Sequence, residues 1–528
     1  MDSANSQILL DTSTAQIMEV ILLCCSAKDL FHLCCTSRCV YRRVWCRRTR
    51  EAIAQGRVLV ATNASCRLNR FWARCDLVKR VTETLLTRTP YVGAQLAASR
   101  QRPARSLFTR MRTLAFAESC ALAKSSAQAF ALGTYHSAAI LIPASGAGDA
   151  QVHTFGRGFH GQLGRGNTFE DCAAPVPVQS SGEMDRIVSI HCGGSHCAAV
   201  CDAQGQLSVH TWGLASSGEL GHGGYTSIEV AYPRVVTSLM FRARVRAVCT
   251  GSNHTLVIGT CGGVWACGRG RHGQLGLGEY SDSGDLKRVD ALKGTCIIAA
   301  AAGGTHSLAL TSTGEVWTWG DARHGQLGQG AGVVAFAHLG DFLGMAVPQR
   351  ALLPSWCSSD PVVDVVAGGS HSVMRTLSGM IMVCGRGRHG ALGLQHMADV
   401  ALPTAVAVPC EPTRTTCRHG AATVVAVAAG GDHTLALTVY GEVFATGCNY
   451  YGALGTGDVH NRTQFTRVRG LPPRVATIQA GEYHSAAACA DGRLFTWGRG
   501  DLGQLGHGEK RSNPTPQALD GWRLAIHK

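Results

Sequence analysis

No apolar run in this 528-residue chain approaches the length of a membrane-spanning helix. Ile17 to Cys25 is the stretch most like an export signal, yet no Lys or Arg precedes it, and Asp2, Asp11 and Glu19 lie before or within it. That charge order is wrong for secretion. There is no Gly-x-Ser-x-Gly elbow, and no nucleophile–base pair stands out among the scattered acids. Cys192, Cys197 and Cys201 lack the Cys-x-x-Cys spacing of a zinc site. With no secretory context, the 23 cysteines read as small buried hydrophobes rather than a disulfide framework. These absences predict an intracellular chain, cytoplasmic or nuclear, that contacts no membrane, performs no catalysis, and holds no cofactor or metal.

Glycine, by contrast, is abundant at 64 residues, and a repeat consumes much of it. Gly303-Gly304-Thr305-His306-Ser307-Leu308-Ala309-Leu310, then Val316 to Gly320, then His324-Gly325-Gln326-Leu327-Gly328, reads as two short strands, a tight turn and a glycine-bracketed loop. The unit recurs at His136, His196, His254, His306, His371, His433 and His484. Its second strand ends at Gly156, Gly213, Gly268, Gly320, Gly385, Gly447 and Gly498, and a Leu-Gly pair begins 7 residues later each time. Copies recur at 51 to 65 residues in the later units, a length for four strands. Strand patterning at that period, with no long helical period, predicts a mainly β fold. Seven copies can close a ring, so the expectation over residues 127–522 is a seven-bladed β-propeller.

The motif Gly-Gly-x-His-[Ser/Thr]-x-Ala-Leu, Val-x-x-Trp-Gly and Gly-Gln-Leu-Gly resembles the regulator of chromosome condensation repeat over about residues 127–520. The resemblance implies ring closure by strands from both chain ends within one blade, with 127–132 and 514–519 suited to it. It also implies, as one alternative, guanine-nucleotide exchange on a Ran-type small GTPase, with Gly330 to Pro361 as a possible wedge. That connection and Pro409 to Thr423, with Arg414 and Arg418, are long enough to carry recognition.

Residues 1–125 hold 20 Lys+Arg against 8 Asp+Glu, while the rest holds 29 against 27, so the ring is nearly neutral and the N-terminal quarter basic. Residues 1–56 carry a helical period. Ile17, Val20, Ile21 and Cys24 share one face, and Leu30, Leu33 and Cys34 line a second helix. Ile17 to Leu22, Lys28 to Leu33, and Thr36-Ser37-Arg38 with Tyr41 and Trp45 resemble an F-box. That resemblance implies a small α-helical module binding a Skp-type adaptor, with Ile17, Val20, Ile21, Leu30 and Leu33 as contacts. Residues 57–126 read as a basic helical linker. Its Arg100, Arg102, Arg105, Arg110 and Arg112 permit nucleic-acid contact but read first as a solvated stretch.

Gly156-x-Gly158-x-x-Gly161 and its three relatives fit a dinucleotide fingerprint but run in register with the repeat and lead into Gln-Leu-Gly rather than a helix. They are turns. The seven histidines read as structural, bonded to backbone and stitching neighbouring strands, because a ring spreads them too far apart to share one ion. Together, F-box-like helices followed by a propeller imply a protein-binding receptor of a cullin-RING ubiquitin ligase with an unknown target. The alternatives are the GTPase exchanger and a chromatin or scaffold protein. Light sensing is not expected, since Trp212, Trp265, Trp317, Trp319 and Trp497 are scattered over the repeats.

Overall fold

The computed structural model describes residues 128–525 apart from 146–148, 167–169, 180–183, 185, 204, 225–228, 240–243, 339–343 and 411–420. The F-box-like region with Ile17, Val20, Ile21, Leu30 and Leu33, the basic linker, Arg414 and Arg418 all lie outside the described residues.

Seven antiparallel sheets follow one another, each with its four main strands in chain order. In the fourth sheet these are Ile297–Ala302, His306–Thr311, Val316–Asp321 and Gly344–Arg350. Each sheet's first strand touches the first strands on either side, and the last touches the first, so the sheets close a seven-bladed ring around those strands. The histidine opens the second strand of every blade, and that strand is buried throughout in blade four. It is apolar or small because both of its faces meet neighbouring blades. The core therefore lies between blades. One cluster joins Leu308, Leu310 and Val316 of the fourth blade to Val365, Met374 and Met382 of the fifth.

The outer strands are free edges, which invite pairing with other chains. Pro175, Pro177, Pro233, Pro348, Pro403, Pro514 and Pro516 remove donors from five of them. The other two carry Lys287 with Arg288, and Arg462 with Arg467.

The glycine at or just before the end of each third strand has no substitute. Gly385 sits at φ +110°, and a Cβ there would lie 2.6 Å from the Ser370 carbonyl oxygen and 2.7 Å from the His371 Cα.

Closure differs from the expectation. Residues 514–519 do not reach the first blade. Asn513–Ala518 is the outer strand of the seventh blade, paired with Leu494–Gly498. The closing strand is Trp522–Leu524, which pairs with Ile142 and its neighbours on the same edge of the first blade's His136–Pro143 strand that Phe130–Leu132 occupies. The two short pieces run end to end as one composite strand, joined to it by Ile140 N–H to the Ala129 carbonyl (2.7 Å) and Ala525 N–H to the Ile140 carbonyl (2.9 Å). Leu524 and Leu519 pack with Phe130, Leu132 and Leu141 and with Ala486, Ala488 and Leu494 across the seam. The proline-rich 514–519 segment suits an outer edge, which is where it lies.

Gly330 to Pro361 is also more than a loop. It holds an α-helix, Ala331–His338, then the fourth blade's outer strand, then a 3-10 turn at Ser355–Ser358 that puts Cys357 into the core. Pro409 pairs with Ala421 across the segment outside the described residues.

Each repeat histidine bonds to a side chain of the next blade rather than to backbone. His484 Nε2 lies 2.9 Å from Ser137 Oγ, closing the ring over 347 residues. His196 meets Thr255 (3.0 Å), His254 Ser307 (2.9 Å), His306 Ser372 (2.9 Å), His371 Thr434 (3.0 Å) and His433 Ser485 (2.9 Å). Each hydroxyl donates its one proton back to the histidine's own blade, as Ser137 does to the Gln504 carbonyl (2.7 Å) and Ser307 to the Gln274 carbonyl (2.8 Å). The hydroxyl must then accept from Nε2–H, so these imidazoles are neutral Nε2–H tautomers. Burial pushes His196, His254, His433 and His484 down to about 3 and His306 and His371 to about 4. His136 stands apart, with its Nε2 3.1 Å from the sulfur of Cys197.

Truncation after Gly521 removes the closing strand and should cost at least the ~1.5–3 kcal/mol of one buried leucine, read as a lower Tm; an unchanged Tm would contradict the seam. Acid should also unfold the protein. As pH falls below 6.5 the unfolded chain takes up six protons that these histidines refuse when folded, each contributing up to about 1.4 kcal/mol per pH unit. Two carboxyls, Glu219 and Glu482, are held near 7 chiefly by burial and run the other way between 4.5 and 7. The net is stability rising with pH, measured by denaturant unfolding from pH 4.5 to 6.5; a flat profile would contradict neutral histidines.

Candidate functional site

The glycine turn before each histidine and the loop after each third strand meet at one face of the ring. In every blade the residue following the strand-ending glycine donates its N–H to the carbonyl of the residue preceding the histidine. Arg157 does so to Tyr135 (2.9 Å), Arg269 to Asn253 (2.8 Å), Arg386 to Ser370 (2.9 Å) and Arg499 to Tyr483 (3.0 Å). The backbone is thus repeated, while these two side chains are free to vary. Four of the seven residues after the glycine are arginines.

The densest part of this face spans blades six, seven and one. The Arg499 guanidinium lies 4.8 Å from the Tyr451 ring centre, 5.1 Å from Tyr135 and 5.7 Å from Tyr483. Arg157 lies 5.6 Å from both Tyr135 and Phe159. A cation over several ring faces is attracted by their quadrupoles and held in place. Asp501 accepts two hydrogen bonds from Arg499 (2.7 and 2.8 Å), which keep its carboxyl below the usual range. Beneath them, burial and then the Asp432 charge raise Glu482 to about 7. Phe159 and Tyr450, each 59% exposed, extend the aromatic surface outward. A second fixed pair, Arg323 forked onto Asp321 at 3.0 and 2.7 Å, lies on blade four. Preorganised arginine and tyrosine side chains with exposed aromatic edges are the composition of protein-binding hot spots.

The Gly156, Gly158 and Gly161 run forms successive tight turns, Gly161 N–H bonding the Gly158 carbonyl and Gly164 N–H the Gly161 carbonyl. The seven histidines do not converge; each is committed to its own blade junction. A polar depression of about 150 Å³ by His507, Glu509, Arg511, Asn513 and Gln517 lies elsewhere and lacks the apolar walls of a small-molecule pocket. Among the described residues no helix is long and apolar enough to cross a membrane. The arginine–tyrosine cluster escaped sequence reasoning because Tyr135 and Arg499 are 364 positions apart. The signal available was departure from the repeat: tyrosine precedes the histidine only in blades one and seven.

Known proteins place the ring. The plant ultraviolet-B receptor UVR8 of Arabidopsis thaliana is 30% identical over 391 residues, covering 74% of this chain and 80% of the receptor. The E3 ubiquitin-protein ligase HERC2 of Homo sapiens is 31% identical over 352 residues, 66% of this chain but only 6% of that protein. The secretion-regulating guanine nucleotide exchange factor of Mus musculus is 30% identical over 303 residues, 56% of this chain and 61% of the factor. The crystal structure of Prp20p from Saccharomyces cerevisiae shares the fold at a TM-score of 0.59 and 21% identity, over 70% of this chain and 86% of that one. The RCC1-like domain description matches residues 151–527. With its seven blades, its recurring histidines and these matches, the chain belongs to the RCC1-like domain family.

Proposed function

We propose that this protein is a non-catalytic protein-recognition propeller whose arginine–tyrosine face binds and regulates a small GTPase. The observation that carries the proposal is Arg499 held among Tyr135, Tyr451 and Tyr483, with Arg157 beside it. Such a surface needs little ordering on binding, so its contact energy is not spent on fixing side chains. Guanidinium groups suit the acidic and phosphate-bearing surroundings of a nucleotide site. The name of the secretion-regulating exchange factor, a relative over 56% of this chain, supports the GTPase as partner. The basic Arg100 to Arg112 stretch allows nucleic acid as a further contact.

A second reading has its own support. The F-box-like pattern of residues 1–56 suits a Skp-type adaptor, and the E3 ligase HERC2 carries a related ring. On that reading the same face holds a substrate of a cullin-RING ligase. Recovery of Skp and cullin subunits with the tagged chain, lost on deleting residues 1–56, would favour it over the GTPase.

The test is binding and nucleotide release with a panel of purified small GTPases, Ran-type first. Arg499→Ala and Tyr451→Ala should each weaken binding about tenfold or more, as truncation of a hot-spot residue does. Arg467→Ala, on an outer strand, should change little. Equal binding by all three variants, or no GTPase bound by the wild type, would contradict the proposal.

A further inference from the structure

One junction of the histidine ring is chemically unlike the other six. Where the others place a serine or threonine hydroxyl, the junction between blades one and two places Cys197, 3.1 Å from His136 Nε2. Directly across the second blade's hairpin stands Cys192, the backbone partner of Cys197, with its sulfur 3.7 Å away. The equivalent positions in the other blades are Leu132, Thr250, Ala302, Ala367, Ala429 and Ala480. The neighbouring Gly193 N–H to His196 carbonyl bond (2.8 Å) closes the turn, which makes Cys192 and Cys197 a non-hydrogen-bonded pair, the kind whose side chains approach most closely. All three residues are buried, and their ligand atoms lie within 4.8 Å of one another.

We propose that His136 Nε2, Cys192 Sγ and Cys197 Sγ form a zinc site that staples blade one, where both chain ends meet, to blade two. Two sulfurs about 2.3 Å from a tetrahedral zinc sit roughly 3.7–3.8 Å apart, which is the spacing already present. The Nε2–Sγ distance need widen by only a few tenths of an ångström. Two thiolates and a neutral imidazole exactly balance a divalent ion, which matters where burial penalises any net charge; a monovalent ion would leave one negative charge behind. The Gln162 carbonyl oxygen, 3.5 Å from Cys197 Sγ, already accepts from the Trp212 Nε1–H (3.0 Å), so the protein offers the ion three ligands. Cys192, 9% exposed at the end of Ile187–Cys192, the inner strand of blade two, is the most exposed of the three. Binding forms two metal–sulfur bonds and one metal–nitrogen bond, releases two thiol protons to solvent, and changes no oxidation state. Zinc on Nε2 requires the imidazole proton on Nδ1, which has no hydrogen-bond partner, so the site should bind more weakly than one whose histidine is supported from behind. Cysteine spacing hides the site, because the third ligand comes from the preceding blade.

The experiment uses the full chain, reduced and stripped with chelator, then dialysed against zinc ion. Cys197→Ser and Cys192→Ala install residues the other blades already carry, so the double variant should fold, and its Tm without zinc should match or exceed the wild type's. The wild type should retain one more zinc per chain than the double variant and should alone gain Tm on zinc addition. Cobalt(II) should give thiolate-to-metal charge-transfer absorption in the wild type only. Equal zinc content and equal thermal response in both proteins would overturn the proposal. So would retention of cuprous ion but not zinc, or a Cys192–Cys197 disulfide in the reduced preparation.

Discussion

The fold depends on a hydrogen-bond relay repeated at the blade junctions. An imidazole donates to a hydroxyl in the next blade, and that hydroxyl donates back to a carbonyl beside the imidazole's own loop. His306, Ser372 and the Gln326 carbonyl show the unit, at 2.9 and 2.7 Å. The relay is directional, so it requires neutral imidazoles of one tautomer, and burial enforces that state. Hydrophobic packing between blades supplies most of the stabilisation, but it is non-directional. The relay sets which rotation of one blade against the next is satisfied. Buried polar groups with no alternative partner leave little room for other arrangements.

That constraint separates scaffold from surface. Backbone and buried side chains must repeat, because each junction makes the same demands. Residues just outside the relay, before the histidine and after the strand-ending glycine, carry no such demand and hold the variation. Tyr135, Tyr483 and Arg499 occupy those positions, on the two blades that meet at the seam. A rigid ring thereby presents a fixed cluster of arginine and tyrosine without ordering a loop to do so.

Much of the ring was legible in the sequence because its period is written in residues with narrow roles. The strand-ending glycines mark positive φ, the histidines mark junctions, and Leu-Gly marks the return of each loop. Apart from the tyrosines before His136 and His484, what escaped had no local signature. The closing strand Trp522–Leu524 is three residues long and gains its identity only from the edge it meets. Residues 514–519 suit closure on sequence because nothing local shows that their partner, Leu494–Gly498, lies in their own blade across the Gly500 to Gly508 loop. The histidine partners were expected on the backbone, since nothing in one repeat says that the next repeat's serine lies within reach. Cys197 looked like one more small residue until His136 and Cys192 were placed around it.

The histidines lock the ring as neutral Nε2–H tautomers. Nitrogen NMR of imidazole-labelled protein reads the tautomer and charge of each ring directly. His196, His254, His306, His371, His433 and His484 should keep neutral Nε2–H signatures at pH 5. Titration of these six with midpoints near the ordinary 6.5, in protein that is still folded, would contradict it.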